Sequence, residues 1–212
     1  RFQKVLDIRQ LIAYRNAKGV PVELKGDVKP EDFKKSVAYG SEKLRFGLFS
    51  TVFNTAHTLV QLHFAVLPFI WHRTLVFMQQ YDYDESYEIT HSLLFLGVYQ
   101  LYSDIIQLPF SLYSTFVIEE KYGFNKQTLK LFFIDMLKSL ALTVALGVPI
   151  MVGLLRLMQW GGSNLWLYMW LFVLGVSLVM VTIYPTVIQP LFNKFTPLEE
   201  GELRTSIENL AK

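Results

Sequence analysis

"NLWLYMWLFVLGVSLVMVTIYPTVIQPLFN", Asn164 to Asn193, contains no Asp, Glu, Lys or Arg. About 20 apolar residues in a helix cross the hydrocarbon core of a bilayer, so this run is long enough to span it. Three more runs share the property. Phe46 to Trp71 holds no charged residue, Ile89 to Ile118 holds only Asp104, and Ser139 to Leu155 holds none, with the apolar pattern reaching back towards Leu129. Charge-free stretches of this length argue against helices buried in a large soluble core. The sequence therefore predicts an all-α, polytopic membrane protein with four full transmembrane helices, at about 46–71, 89–118, 130–158 and 164–193.

Composition agrees. Hydrophobic residues make up 52% and charged residues 18% of the 212, and mean hydropathy is +0.31, which is more apolar than an average soluble domain. The net charge of +2 excludes little, but its distribution orients the chain. Residues 1–45 hold eleven Lys or Arg against six acids, the 72–88 loop one Arg against four acids, and the 119–130 loop three Lys. By the positive-inside rule, residues 1–45, 119–130 and the chain after Lys194 face the cytosol, while 72–88 and the Gly161-Gly162 turn face the other side. No cysteine is present, so there is no disulfide framework and no Cys–zinc site.

Local signals divide the chain into 1–45, 46–194 and 195–212. "RFQKVLDIRQLIAYRN" reads as the cytosolic end of an earlier helix, followed by a loop broken by Gly19, Pro21, Gly26 and Pro30. Pro30-Glu31-Asp32-Phe33 suits a helix start. In "STFVIEEKYGFNKQT", Gly123 is placed to end a helix in left-handed geometry and Asn125 to cap the next, giving a helical hairpin. Pro149, Pro185 and Pro190 fall in the last two spans, and the latter two are expected to steer the chain out of the membrane. Thr196-Pro197-Leu198-Glu199 forms a capping box, and Leu203, Ile207 and Leu210 then mark an amphipathic helix that opens a cytosolic domain.

Polar groups in a span are costly and face protein or water. Asn54, His57, Thr58 and Gln61 share one face of the first span, and Gln100, Asp104 and Gln107 one face of the second. Two readings stand: these stripes line a water-filled chamber, or they bond across a dry interface. Asp135 and Lys138 are spaced as a structural ion pair. The four histidines have no metal-ligand spacing, Tyr83 and Tyr87 suit an interfacial aromatic belt, and no HExxH, GxSxG or P-loop occurs. Nothing points to nucleic acid.

"LPFSLYSTFVIEEKYGFNKQTLKLFF", "WLFVLGVSLVMVTIYPTVIQPLFNKFTPLEEGEL" and "YEITHSLLFL" closely resemble the membrane half of the type-one CAAX prenyl proteases. The resemblance implies a seven-helix α-barrel around a chamber, with the four spans as its second to fifth helices and the segment ending near Tyr14 as its first. It implies a zinc metalloendopeptidase of the endoplasmic reticulum membrane, and also the inner nuclear membrane, that removes the terminal tripeptide of prenylated proteins. Fungal members also cut a farnesylated pheromone precursor upstream. In such an enzyme zinc polarises the scissile carbonyl and activates water. The family's HExxH and later glutamate fall downstream of Lys212, so no catalytic or metal-binding residue is carried over to this chain. Expected partners are that C-terminal catalytic portion, a prenylated CAAX substrate and the lipid bilayer. Asn54, His57, Gln61, Gln100, Asp104 and Gln107 become chamber-lining candidates. Glu119 and Glu120 become candidates for bracing the catalytic half, against the simpler alternative that they are solvated and offset by Lys121 and Lys126. The rival function is a transporter or channel with Asp104 in its pathway; a membrane scaffold without a chamber is a third.

Overall fold

The computed structural model describes residues 2–17, 19–21, 26, 28–84, 86–193 and 201–210. They form two compact units, Arg1–Leu129 and Lys130–Lys212. Every regular element among the described residues is helical.

The first unit contains α1 (Phe2–Asn16), α2 (Pro30–His63), α3 (Val66–Gln79) and α4 (Glu88–Tyr113), which runs directly into a π-helical turn, Ser114–Glu119. α2 starts where the sequence predicts, with Pro30 first and Glu31 and Asp32 in the first turn, where proline needs no N–H partner and acids offset the helix dipole. α1 lies against α2 at Gly40, where a Cβ would fall 2.8 Å from the Tyr14 ring. Glycine is what lets the ring in.

The first predicted span is not one straight rod. α2 and α3 meet at a 58° bend. Phe64 closes α2, and Ala65 adopts φ 49°, ψ 44°, a left-handed conformation that non-glycine residues seldom hold. Pro68 follows in the first turn of α3, the one place in a helix where its missing N–H costs nothing. The same proline would break a continuous helix by removing a bond and clashing with the preceding turn. The apolar run is thus long enough to span, but its backbone chemistry divides it.

α3 packs on α4 around Ile70, Thr74 and Met78, which are buried. His91 of α4 is buried against them: its Nε2 lies 3.0 Å from Thr74 Oγ1 and 3.0 Å from the Trp71 carbonyl oxygen, with the Trp71 ring centroid at 4.0 Å. His91 is therefore a structural histidine. Beyond it, Tyr83 and Tyr87 meet edge to face at 5.0 Å.

The second unit contains α5 (Leu129–Trp160), a 3₁₀ turn at Gly162–Asn164, α6 (Leu165–Ile183), a π-helical turn at Tyr184–Ile188, α7 (Gln189–Phe192) and α8 (Glu202–Leu210). Gly153 of α5 faces α6, with its Cβ position 2.8 Å from the Phe172 ring. The predicted ion pair forms: Lys138 Nζ lies 3.4 Å from Asp135 Oδ1. Lys138 also donates to the Leu191 carbonyl at 3.2 Å, tying α5 to α7.

Pro185 does not interrupt the predicted span. It lies in the π turn, and the chain stays helical to Phe192. A widened turn can absorb a missing N–H that a regular turn would leave as a break. α8 appears where the amphipathic pattern places it, with Ile207 and Leu210 exposed. The predicted capping box, Thr196 to Glu199, lies outside the described residues.

The continuous helical stretches Glu88–Glu119, Leu129–Trp160 and Gly162–Phe192 are each long and apolar enough to cross a membrane, and the bent α2–α3 pair makes a fourth span if counted as one.

Candidate functional site

The site grows from the polar residues that the spans can least afford to leave unpaired. On α2, Asn54, His57, Thr58 and Gln61 follow at helical spacing and border one cleft of about 210 Å³. The opposite wall comes from Tyr99, Ser103, Ile106 and Gln107 of α4. Gln107 Nε2 donates to Asn54 Oδ1 at 2.8 Å. His57 Nε2 and the Tyr102 hydroxyl lie 2.7 Å apart, with their rings stacked at 5.7 Å. Gln61 sits between His57 Nε2 and the Tyr99 hydroxyl, at 3.5 Å from each. The cleft is therefore lined by amides, hydroxyls and an imidazole, groups that can hold water or a peptide backbone.

The residues of the stripe predicted on α4 find different partners. Gln107 turns to α2, whereas Gln100 and Asp104 bond to each other, Nε2 to Oδ1 at 2.9 Å, and are exposed. Sequence reasoning missed Tyr99 and Tyr102. Each carries a hydroxyl on a large ring, so a count of apolar and polar positions reads it as packing. The available signal was their spacing, i and i+3, beside a predicted polar stripe.

Where the π turn after α4 ends, a second cluster answers how adjacent glutamates can end a helix. The chain after the π turn closes in a Schellman arrangement: Phe124 N–H donates to the Glu119 carbonyl and Gly123 N–H to the Glu120 carbonyl, both at 2.9 Å. Gly123 has φ +75°, the left-handed geometry its sequence position predicts. Asn125 does not cap α5. Its Oδ1 accepts from Gln127 N–H at 2.7 Å, a side-chain turn that closes before α5 begins at Leu129.

Glu119 and Glu120 then find partners. Lys43 of α2 pairs with Glu119 at 3.3 Å, and Asn125 Nδ2 donates to Glu120 at 2.8 Å. In the reverse sense, Glu42 of α2 accepts from Lys121 Nζ and from the Tyr122 hydroxyl, each at 2.7 Å. These two hydrogen bonds hold the Glu42 carboxyl below its ordinary range. The Tyr39 hydroxyl, and then Glu119, hold the Lys43 ammonium above its own. The Tyr39 ring packs 4.7 Å from Phe124 and 5.4 Å from Tyr122. Two crossed acid–base pairs around an aromatic center thus clasp α2 to the end of α4.

Among the described residues, no three His, Cys, Asp or Glu side chains come together as a metal site. His57 and His91 are each bonded within helix–helix contacts.

Bilayer-length helices with side-chain bonds between two of them define a multi-pass membrane protein. The family described as CAAX prenyl protease N-terminal, five membrane helices, matches residues 10–194, and this chain belongs to it. It is 44% identical to the CAAX prenyl protease 1 homolog of Oryza sativa subsp. japonica over 99% of this chain and 49% of that protein. It is 42% identical to the Homo sapiens homolog over 96% of this chain and 43% of that protein. The crystal structure of S. mikatae Ste24p superposes with a TM-score of 0.87 at 39% identity, covering 99% of this chain and 48% of the other. The chain spans about half the length of the relatives it matches.

Proposed function

We propose that this chain is the membrane portion of a zinc metalloendopeptidase that removes the C-terminal tripeptide from prenylated CAAX proteins. The observation that carries the reading is the polar cleft between α2 and α4, in a chain whose fold is shared with Ste24p over nearly its whole length. The residues described here do not fit a zinc site. The metal would be held by residues outside this chain, and no chemical step is assigned to its side chains.

What these residues do in this reading is line and brace. Asn54, His57, Gln61, Gln100, Asp104 and Gln107 face the water-filled interior of a seven-helix barrel and offer bonds to an extended peptide. Glu119 and Glu120 hold the mouth against the catalytic half, which follows residue 195. The enzyme resides in the endoplasmic reticulum membrane and the inner nuclear membrane, where prenylated proteins are within reach.

The test is made on the protein at its full natural length. Elemental analysis with intact mass should find about one zinc per polypeptide, and a farnesylated CAAX peptide should release its tripeptide, with loss of activity on chelation and recovery on adding zinc. A protein without zinc that leaves the peptide intact, yet carries solute across liposomes, is a transporter instead.

A further inference from the structure

A second cleft lies at the clasp end of the first unit and differs in kind from the polar one. It measures about 500 Å³, and its walls are Phe46, Phe49, Pro109, Phe110, Tyr113 and Ile118. The rings form a continuous set: Phe46 lies 4.9 Å from Tyr113 and 6.1 Å from Phe110, which is 6.2 Å from Phe49. Ile118 is the floor, with 0% of its surface exposed. It sits in the π turn, Ser114–Glu119.

The cleft straddles a boundary written in the sequence. Glu42 and Arg45 stand at its rim, and the charge-free run begins at the next residue, Phe46. The charged residues of the lining thus precede the apolar run, and the aromatic ones belong to it or to the run Ile89 to Ile118. Glu42 Oε2 accepts from Lys121 and Tyr122, and Glu42 also lies within the field of Arg45, without forming an ion pair with it. Arg45 makes no ion pair among the described residues and is exposed.

We propose that this cleft is a binding site for one anionic phospholipid of the cytosolic leaflet, with an acyl chain along the aromatic wall and its phosphate on Arg45. The apolar wall alone would not select a ligand, because a chain leaving the bilayer for an apolar groove exchanges one hydrocarbon surface for another. The guanidinium's planar donors match a phosphate, and its positive charge selects a net anionic headgroup over a zwitterionic one, whose own ammonium already offsets that phosphate. Lys121, at the other side of Glu42, adds to the cationic field that favours an anionic headgroup. The proposal is independent of the protease reading.

The test uses the full-length protein in nanodiscs of mixed phosphatidylserine and phosphatidylcholine. Lipids retained after mild detergent extraction are counted by native mass spectrometry. A photoreactive benzoylphenylalanine at Phe49 reports what fills the cleft. We expect phosphatidylserine enriched at least about fivefold over its share in the disc, crosslinked at position 49, with enrichment lost in Arg45→Gln and largely kept in Arg45→Lys. Arg45 is exposed in this chain, and an unchanged Tm in both variants checks that packing is kept. Enrichment unchanged in Arg45→Gln overturns the proposal. So does a position-49 adduct with phosphatidylcholine, with a prenylated peptide, or with the protein's own polypeptide.

Discussion

The two units solve the same problem with different chemistry. In the first, α2 and α4 exchange side-chain bonds, Gln107 to Asn54 and Tyr102 to His57, across a polar cleft. In the second, the hydroxyls of Thr143, Ser177, Thr182 and Thr186 each turn back to a carbonyl one turn earlier on their own helical segment, as those of Thr51, Thr55 and Thr58 also do in the first, and what differs is the contact between helices. In the second unit, α5 and α6 border a groove of about 410 Å³ lined by apolar residues such as Leu146, Phe172 and Val176. Back-bonded hydroxyls are polar groups made harmless to lipid. Amides and imidazoles bonded between helices specify a partner and leave capacity for water. The first unit joins α2 and α4 through polar side chains, whereas α5 and α6 of the second meet through apolar ones.

If that division is right, the largest effect should come from the one buried histidine. His91→Ala removes the ring that joins α3 to α4 and leaves a cavity beside Trp71 and Thr74. We expect a loss of about 2–3 kcal/mol, read as a lowered midpoint in thermal unfolding in detergent. Next is the small-residue contact of the second unit. Gly153→Leu drives a side chain into the Phe172 ring and should cost about 1–2 kcal/mol, with no change in the polar cleft of the first unit.

The smallest effect belongs to the clasp, which is exposed. The Glu42 carboxyl is held low by hydrogen bonds from Lys121 and Tyr122. Its stabilising contribution is therefore complete above the ordinary carboxyl value of 4.5 and is lost as pH falls through the lower folded value. Glu42→Gln should lower Tm at neutral pH by about 2 °C. It should also flatten the fall in Tm that the wild type shows below that value. Melts from about pH 3 to about pH 8 would show both.

Much of this was legible in the chain. The helices Glu88–Glu119, Leu129–Trp160 and Gly162–Phe192 each overlap one of the apolar runs, because a bilayer sets length and polarity together. The bend at Ala65 was not, since a left-handed alanine leaves no mark in composition; only Pro68 hinted that a helix begins there. Gly123 was readable because only glycine holds its φ at low cost. Asn125 was misread because the same side chain that caps a helix can close a turn ahead of it. In the site, the α2 stripe of Asn54, His57 and Gln61 holds as one face. On α4, Gln107 bonds to Asn54 of α2, while Gln100 and Asp104 bond to each other one turn apart. Tyr99 and Tyr102 were hidden by their rings. The partners of Glu119 and Glu42 could not be read at all, since Lys43 and Lys121 are distant in sequence from the acids they meet.

Water access tests the central claim most directly. The chain has no cysteine, so single cysteines can be placed without competition from its own residues. In the full-length protein, with any cysteines elsewhere replaced, Gln107→Cys and Leu178→Cys would be treated in vesicles with a charged, membrane-impermeant thiol reagent. The account predicts labelling at position 107 and none at position 178. Equal protection of both would mean a dry bundle with no chamber, and the membrane-protease reading of this half would lose its physical basis.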